Sequence, residues 1–258
     1  MRIIVSKEDI KGERVTVSGE KAKYLISVMR CEEGDSLQVL DGEGNCYNAK
    51  VSGIDNKKVT LDLLEKVPYE TESHLNLELV QGILKGEKMD WVIQKTTELG
   101  VKEIVPVITE RSQVRHTRKV ERWKKIAEEA SRQSGRTNIP VIQKPVEFSS
   151  WLIAHGSLPL NGFIFWEEGG LPLKEAVSRG VGDWGLGVSS FTNPRTQNPN
   201  PCFIAIGPEG GFTKEEVELA NSKGLITVSL GKRILRAETA AISAVTLIQF
   251  LLGDINQG

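Results

Sequence analysis

The chain has 258 residues, 39% hydrophobic and 26% charged, which is ordinary composition for a folded protein and enough length for one large core or two smaller ones. No apolar run reaches the roughly 18 residues needed to span a bilayer, and Met1 to Glu8 becomes charged too quickly for a signal peptide, so a cytoplasmic protein without membrane attachment is expected. Three scattered cysteines and three scattered histidines offer no zinc spacing and no disulfide framework, so no metal is expected, and a net charge of −1 excludes a surface that is basic throughout.

In chain order, the first seventy residues read as β-rich. Short alternating or apolar segments at Arg2 to Val5, Arg14 to Val17, Ser36 to Leu40, Cys46 to Val51 and Lys58 to Leu63 are separated by turn signals at Gly34-Asp35, Asp41-Gly42-Glu43-Gly44 and Asp55-Asn56. A helix is expected from about Glu20 to Arg30, with Ala22, Leu25, Ile26 and Met29 on one stripe. Five short strands and a helix suggest a small barrel, residues 1–70, and the polar stretch Pro68 to Ser73 reads as a linker.

From residue 74 to 258 the pattern alternates. Strands are expected at Leu75 to Val80, Ile104 to Ile108, Phe163 to Trp166, Pro201 to Ile206 and Thr227 to Leu230. Helices are expected at about Glu87 to Leu99, Arg118 to Ser134, Glu147 to His155, Lys174 to Arg179, Thr213 to Lys223 and Ala237 to Leu252. Strands spaced by amphipathic helices imply an α/β domain with a mainly parallel sheet. Gly180 to Asn200, poor in apolar residues, reads as a surface excursion. The last helix has almost no polar face, which calls for cover on several sides, either by the core or by a second subunit; a homodimer is the expectation.

Charge is unevenly distributed. Between Glu110 and Lys125, seven basic side chains, among them Arg111, Arg115, Arg118, Lys119 and Arg122, face only Glu110 and Glu121. One basic region on an otherwise acidic chain is the footprint of a localised nucleic-acid contact, although a solvated helix face reads the same way.

Gly207-Pro208-Glu209-Gly210-Gly211-Phe212 joins an apolar strand to a helix whose start is well specified. Thr213 is placed as N-cap with Glu216 completing a capping box, and Phe212 and Val217 form a hydrophobic staple. The loop fits neither a P-loop nor a dinucleotide fingerprint, and Glu209 would weaken any anion cradle built from backbone N–H groups. A ligand that is not mainly phosphate is implied, unless the loop is only a tight turn. Leu230 to Ala240 repeats the arrangement of strand, loop and helix, placing Arg236 and Glu238 at a helix entry where backbone N–H groups are unpaired. Two such loops at successive strand ends suit a binding crevice in an open α/β sheet.

GPEGGFTKEE followed by LGKRILRAETA resembles the RsmE family of 16S ribosomal RNA uridine-N3 methyltransferases, within the knotted SPOUT class. Tyr24-Leu25 through Val28-Met29-Arg30, Lys85 to Met89, Ile93-Gln94-Lys95, Glu98-Leu99-Gly100, Arg122-Trp123 and Gln133 to Arg136 carry the resemblance along nearly the whole chain, with a departure at Gly180 to Asn200. The resemblance implies a small N-terminal PUA-like β-barrel for RNA and a C-terminal α/β domain with a deep trefoil knot, a device that general rules of chain topology would have argued against. It implies S-adenosyl-L-methionine as cofactor, held by Trp166, Glu167, Gly207, Glu209, Gly210, Gly211, Leu230, Gly231, Ile234, Leu235, Thr239 and Ala240. Arg236 and Glu238 are the expected catalytic pair. Arg30, Arg111, Arg115, Arg118, Lys119, Arg122 and Arg136 are the expected contacts to 16S rRNA of the small ribosomal subunit. A ribose 2′-O-methyltransferase of the same class and a non-catalytic RNA-binding or assembly protein are the alternatives.

Overall fold

The computed structural model describes residues 1–55, 57–69, 71–155, 159–183 and 201–256. The chain forms two compact units, Met1–Glu72 with Glu128–Ile139, and Ser73–Ala127 with Pro140–Gly258. Most of the expected surface excursion, residues 184–200, lies outside the described residues, as does Asn56 of one expected turn.

In the first unit, β1 (Arg2–Ile4), β2 (Ile10–Lys11), β3 (Arg14–Ser18), β4 (Ser36–Leu40), β5 (Cys46–Asp55) and β6 (Lys58–Val67) form one sheet in the order β1-β4-β5-β6-β3-β2. Only the β1–β4 pair is parallel. Alternation fixes the register: Val15 and Val17 are buried between exposed neighbours and lie opposite Leu61 and Val59, which face the same core. A one-residue slip of β3 would turn Val15 and Val17 to solvent. The expected helix to Arg30 is shorter. It comprises α1 (Gly19–Lys23) and a single π-turn over Tyr24–Val28, after which Arg30 adopts a left-handed φ of 52°. Ala22 and Leu25 still bury the predicted stripe.

Of the stretch read as a linker, Glu70 lies outside the described residues, and Thr71 and Glu72 are tied down. Glu72 accepts hydrogen bonds from the backbone N–H groups of Thr137 (2.9 Å) and Asn138 (3.0 Å) and pairs with Arg136 Nη2 at 2.7 Å, and Thr71 Oγ1 donates to the Gly135 carbonyl. A carboxylate with this many donors is well satisfied, so the polar end of this stretch marks a part-buried anchor, not slack.

In the second unit, the sheet runs β10-β8-β7-β13-β11-β14-β12, with β9 also on β8, and every pair is parallel. Its strands are β7 (Leu77–Gly82), β8 (Glu103–Ile108), β9 (Val141–Ile142), β10 (Val146–Glu147), β11 (Gly162–Phe165), β12 (Leu171–Pro172), β13 (Cys202–Ile206) and β14 (Ile226–Ser229). Helices are α2 (Lys88–Glu98), α3 (Val120–Ser134), α4 (Phe148–Ala154), α5 (Leu173–Asp183), α6 (Lys214–Ser222) and α7 (Ala237–Leu252). All residues of β11 and β13 are buried, as parallel strands covered on both faces must be. The three cysteines are free and buried; burial pushes all three thiols up, Cys202 to about 12, which leaves them as small hydrophobes.

Candidate active site

Strands β13, β11 and β14 are neighbours and run the same way, so the loops that follow them meet at one edge of the sheet. There they enclose a cavity of about 610 Å³, a volume ordinary for a small-molecule site. The strands contribute their last residues, Phe165, Ile206 and Ser229; the loops contribute Trp166, Glu167, Gly207 to Glu209, Gly211, Leu230, Gly231 and Arg233 to Leu235. Arg236, Ala237, Glu238 and Ala240 at the start of α7 complete the wall with Lys88 from α2.

The Gly-rich loop is fixed from both sides. Gly211 has φ +70°, and Gly82 at the end of β7 packs so closely that a Cβ there would lie 2.5 Å from Pro208 Cδ. Downstream, the capping box forms as expected: Thr213 N–H donates to Glu216 Oε2 at 2.8 Å, Glu216 N–H donates to Thr213 Oγ1 at 3.3 Å, and Phe212 and Val217 are buried together. Glu209 is not left facing its own loop. Its Oε1 accepts the Lys85 N–H at 3.0 Å and Lys88 Nζ at 3.2 Å. Partial burial pushes this carboxyl up, but hydrogen bonds from the Lys85 and Glu209 backbone and from Lys88 outweigh it and hold the group below the usual carboxylate range.

Two buried polar atoms of the lining have no hydrogen-bond partner among the described residues, the Trp166 Nε1–H donor and the Glu238 Oε2 acceptor. Buried polar groups are nearly always paired, so an unmatched donor and acceptor on two residues that line one cavity suit a place where a ligand binds. Glu238 lies in the first turn of α7 with Lys88 Nζ 4.0 Å from Oε2, and Arg236 is the helix N-cap, its side chain exposed and making no cap bond.

The basic segment after β8 is hydrogen-bonded to the same framework. Arg111 Nη1 donates to the Gly210 carbonyl at 3.2 Å, the Glu110 N–H donates to Glu216 Oε1 at 2.9 Å, and Lys119 Nζ donates to the Gly86 carbonyl at 2.8 Å. Arg115 Nη2 donates to the Glu110 carbonyl. The partners of these cations are carbonyl oxygens, and the exposed surface also carries Arg118. Arg122 differs, pairing with Asp90 at 2.8 Å while remaining exposed; Trp123 Nε1 holds the other Asp90 oxygen at 3.0 Å.

A family model described as an RNA methyltransferase domain matches residues 71–249, and the chain is 32% identical to the ribosomal RNA small subunit methyltransferase E of Synechocystis over 97% of this chain and 78% of that relative. The chain belongs to this RNA methyltransferase family. A second model, an RNA methyltransferase PUA domain, matches residues 17–64. Among solved structures, the ribosomal RNA small subunit methyltransferase E of Neisseria gonorrhoeae bound to S-adenosyl methionine is 29% identical with a TM-score of 0.81 over 98% of both chains. A putative methyltransferase of Legionella pneumophila in complex with the same molecule is 31% identical with a TM-score of 0.82, again over 98% of both.

In this methyltransferase, ten of the twelve residues expected around the cofactor line the cavity. The exceptions have geometric reasons. Gly210 turns towards Arg111, whose Cβ and carbonyl oxygen would lie 2.9 and 3.0 Å from a Cβ at that position, and Thr239 is exposed on α7, outside the lining. Both expected catalytic residues line the cavity. Of the expected RNA contacts, Arg136 is corrected: its side chain is 3% exposed and committed to Glu72 in the first unit, so it is unavailable to a phosphate. Arg30 is exposed in the first unit. Lys88, within the stretch Lys85 to Met89, is a lining residue that no local pattern marks; its proximity to Glu209 and Glu238 arises only when α2, the Gly-rich loop and α7 meet.

Proposed function

We propose that this methyltransferase binds S-adenosyl-L-methionine in the cavity at the C-terminal edge of β13, β11 and β14 and methylates N3 of a uridine in 16S rRNA of the small ribosomal subunit. The observation that carries the reading is that Trp166 and Glu238, which line one cavity with Arg236, each carry a buried polar atom without a hydrogen-bond partner among the described residues, the donor Nε1 and the acceptor Oε2. The residues fit such a cofactor, whose sulfonium and ammonium suit a wall carrying Glu167, Glu209 and Glu238, and whose lack of phosphate suits a loop without an anion cradle. When bound, it supplies an electrophilic methyl group for in-line transfer.

The chain's own residues then have two tasks. One is alignment, given by a loop braced at Gly82 and by the capped α6. The other is the N3 proton: Glu238 accepts it while Arg236 stabilises the negative charge that develops on the uracil imide. Arg111, Arg115, Arg118, Lys119, Arg122 and Arg30 hold RNA phosphates, and the base enters unpaired or flipped, since N3 is occupied within a Watson–Crick pair.

The same reading takes residues 1–70, the larger part of the first unit, as the PUA-like RNA-binding domain, and residues 74–258, whose segment Glu128–Ile139 belongs to the first unit, as a SPOUT domain with a trefoil knot. The insertion of β13 between β7 and β11, and of β14 between β11 and β12, supports a threaded chain. A homodimer through this domain is supported by Leu247, Phe250 and Leu251 on α7 and Trp91 on α2, all exposed. Among the described residues no helix is long and apolar enough to cross a membrane, and a cytoplasmic location goes with an rRNA substrate.

Mass-spectrometric mapping of rRNA from cells with and without this gene tests the assignment. Loss of one N3-methyluridine supports it, and loss of a 2′-O-methyl mark or no change overturns it. R236A should lower turnover by roughly 100-fold or more while cofactor affinity, measured by calorimetry, stays within a few-fold.

A further inference from the structure

The basic segment between β8 and α3 is fastened to the Gly-rich loop and its supports at three places. Arg111 Nη1 donates to the Gly210 carbonyl at 3.2 Å, and the Glu110 N–H donates to Glu216, the side chain that also accepts the Thr213 N–H. Lys119 Nζ donates to the carbonyl of Gly86, whose neighbour Lys85 holds Glu209 through its N–H. The start of the segment is itself pinned: Thr109 and Ser112 are buried, and the Thr109 N–H donates to Ser112 Oγ at 2.9 Å.

The Arg111 contact differs from the other two in both partners. Its acceptor, Gly210, stands between Glu209 and Gly211, which line the cavity, and a Cβ on Gly210 would lie 2.9 Å from the Arg111 Cβ, so loop and segment touch directly. Its donor is a planar fork of five N–H groups, able to hold a carbonyl on one side and a phosphate on another. Arg111 is exposed, and its Nε and Nη2 have no hydrogen-bond partner among the described residues. By contrast, the Glu110 contact is made by a neutral backbone N–H, and the Lys119 contact falls on Gly86, which does not line the cavity.

Fixing a long exposed side chain costs rotamer entropy, which weakens a single bond to a neutral carbonyl. A phosphate on the free side of the same guanidinium meets that cost once for both contacts, so the Gly210 carbonyl is held more firmly while RNA is bound. We propose that Arg111 is a positioning residue that couples the two substrates: gripping an RNA phosphate and Gly210 together, it steadies the wall of the cavity, so that RNA and cofactor bind more tightly together than apart. The proposal rests on the reading of the basic segment as an RNA contact and of the cavity as the cofactor site. It adds an order of preference, in which the cofactor is taken up best by protein already on RNA. Linkage makes the effect reciprocal, the cofactor tightening RNA binding by the same factor.

The test is equilibrium dialysis of labelled S-adenosylhomocysteine, which carries no methyl group to transfer, against the full-length protein with and without saturating small ribosomal subunits that lack the mark. In the parent, the subunits should tighten binding by about fivefold or more. In R111M that ratio should fall to about one. R118M removes an exposed cation of the same segment that has no bond to the loop; it should weaken subunit binding and keep the parental ratio. A parental ratio of one, a parental ratio in R111M, or an equal loss in R118M overturns the proposal. If R111M does not fold, R111K carries the same comparison, since a lysine keeps the charge and loses the fork. Subunit affinity separates the two levels. If neither R111M nor R118M weakens subunit binding, the RNA reading of the segment falls and the proposal with it, whereas weakened binding beside an unchanged ratio in R111M overturns the coupling alone.

Discussion

Gly82 occupies a position where the glycine is needed for space. A Cβ there would meet the backbone of Gly207 at 2.8 Å and the ring of Pro208, and neither belongs to a flexible side chain that could swing away. G82A should therefore displace the Gly-rich loop, costing about 1–3 kcal/mol in stability and weakening cofactor binding, which thermal unfolding and calorimetry would register together. Glu78 gives a second prediction. Burial, and then the charge of Glu103 directly opposite on β8, raise its carboxyl from 4.5 to about 7. Between those values the folded chain holds a proton that the unfolded chain has released, so this group's contribution to stability falls as pH rises from 4.5 to 7. E78Q, neutral throughout, should raise Tm relative to the parent at pH 8, and the gain should vanish near pH 5. At this scale the sequence was informative about Glu209, Arg236 and Glu238, because each sits in a local pattern of loop and helix entry. Lys88 and Glu72 were illegible, since their partners lie over a hundred and over sixty residues away.

Among elements, α6 shows how local chemistry can specify structure. Thr213, Glu216, Phe212 and Val217 all take the places that their spacing demands, because cap and staple involve residues within one turn. T213A should cost about 1 kcal/mol and loosen the Gly-rich loop before it; a lowered urea midpoint with unchanged m-value would register the first effect. Strands and helices with a clear period were equally legible, α7 to the residue. What escaped were β2, β9, β10 and β12, each two residues long and therefore without any period to read. The π-turn after α1 escaped as well, since the apolar stripe through Leu25 and Ile26 continues regardless of whether the backbone widens by one residue.

For the whole molecule, alternation of strand and helix gave the α/β class, but strand order could not follow from it: β13 lies between β7 and β11, a placement set by long-range pairing. Likewise the segment Glu128–Ile139 returns to the first unit, which no composition shift announces. Charge distribution yields the prediction at this scale. With about five phosphates held, RNA affinity should fall on the order of 100-fold between 50 and 200 mM salt; filter binding that stays flat would remove the basic segment from the interface. That segment is tied to the Gly-rich loop by Arg111, which donates to the Gly210 carbonyl, and to α6 by Glu216, which caps its own helix with one oxygen and holds the Glu110 N–H with the other. On the proposed reading, Glu216 acts as a caliper. It fixes the span between the point where an RNA strand is gripped and the point where a methyl group is delivered, so altering it would change which nucleotide along the strand is offered, more than how tightly the strand is held.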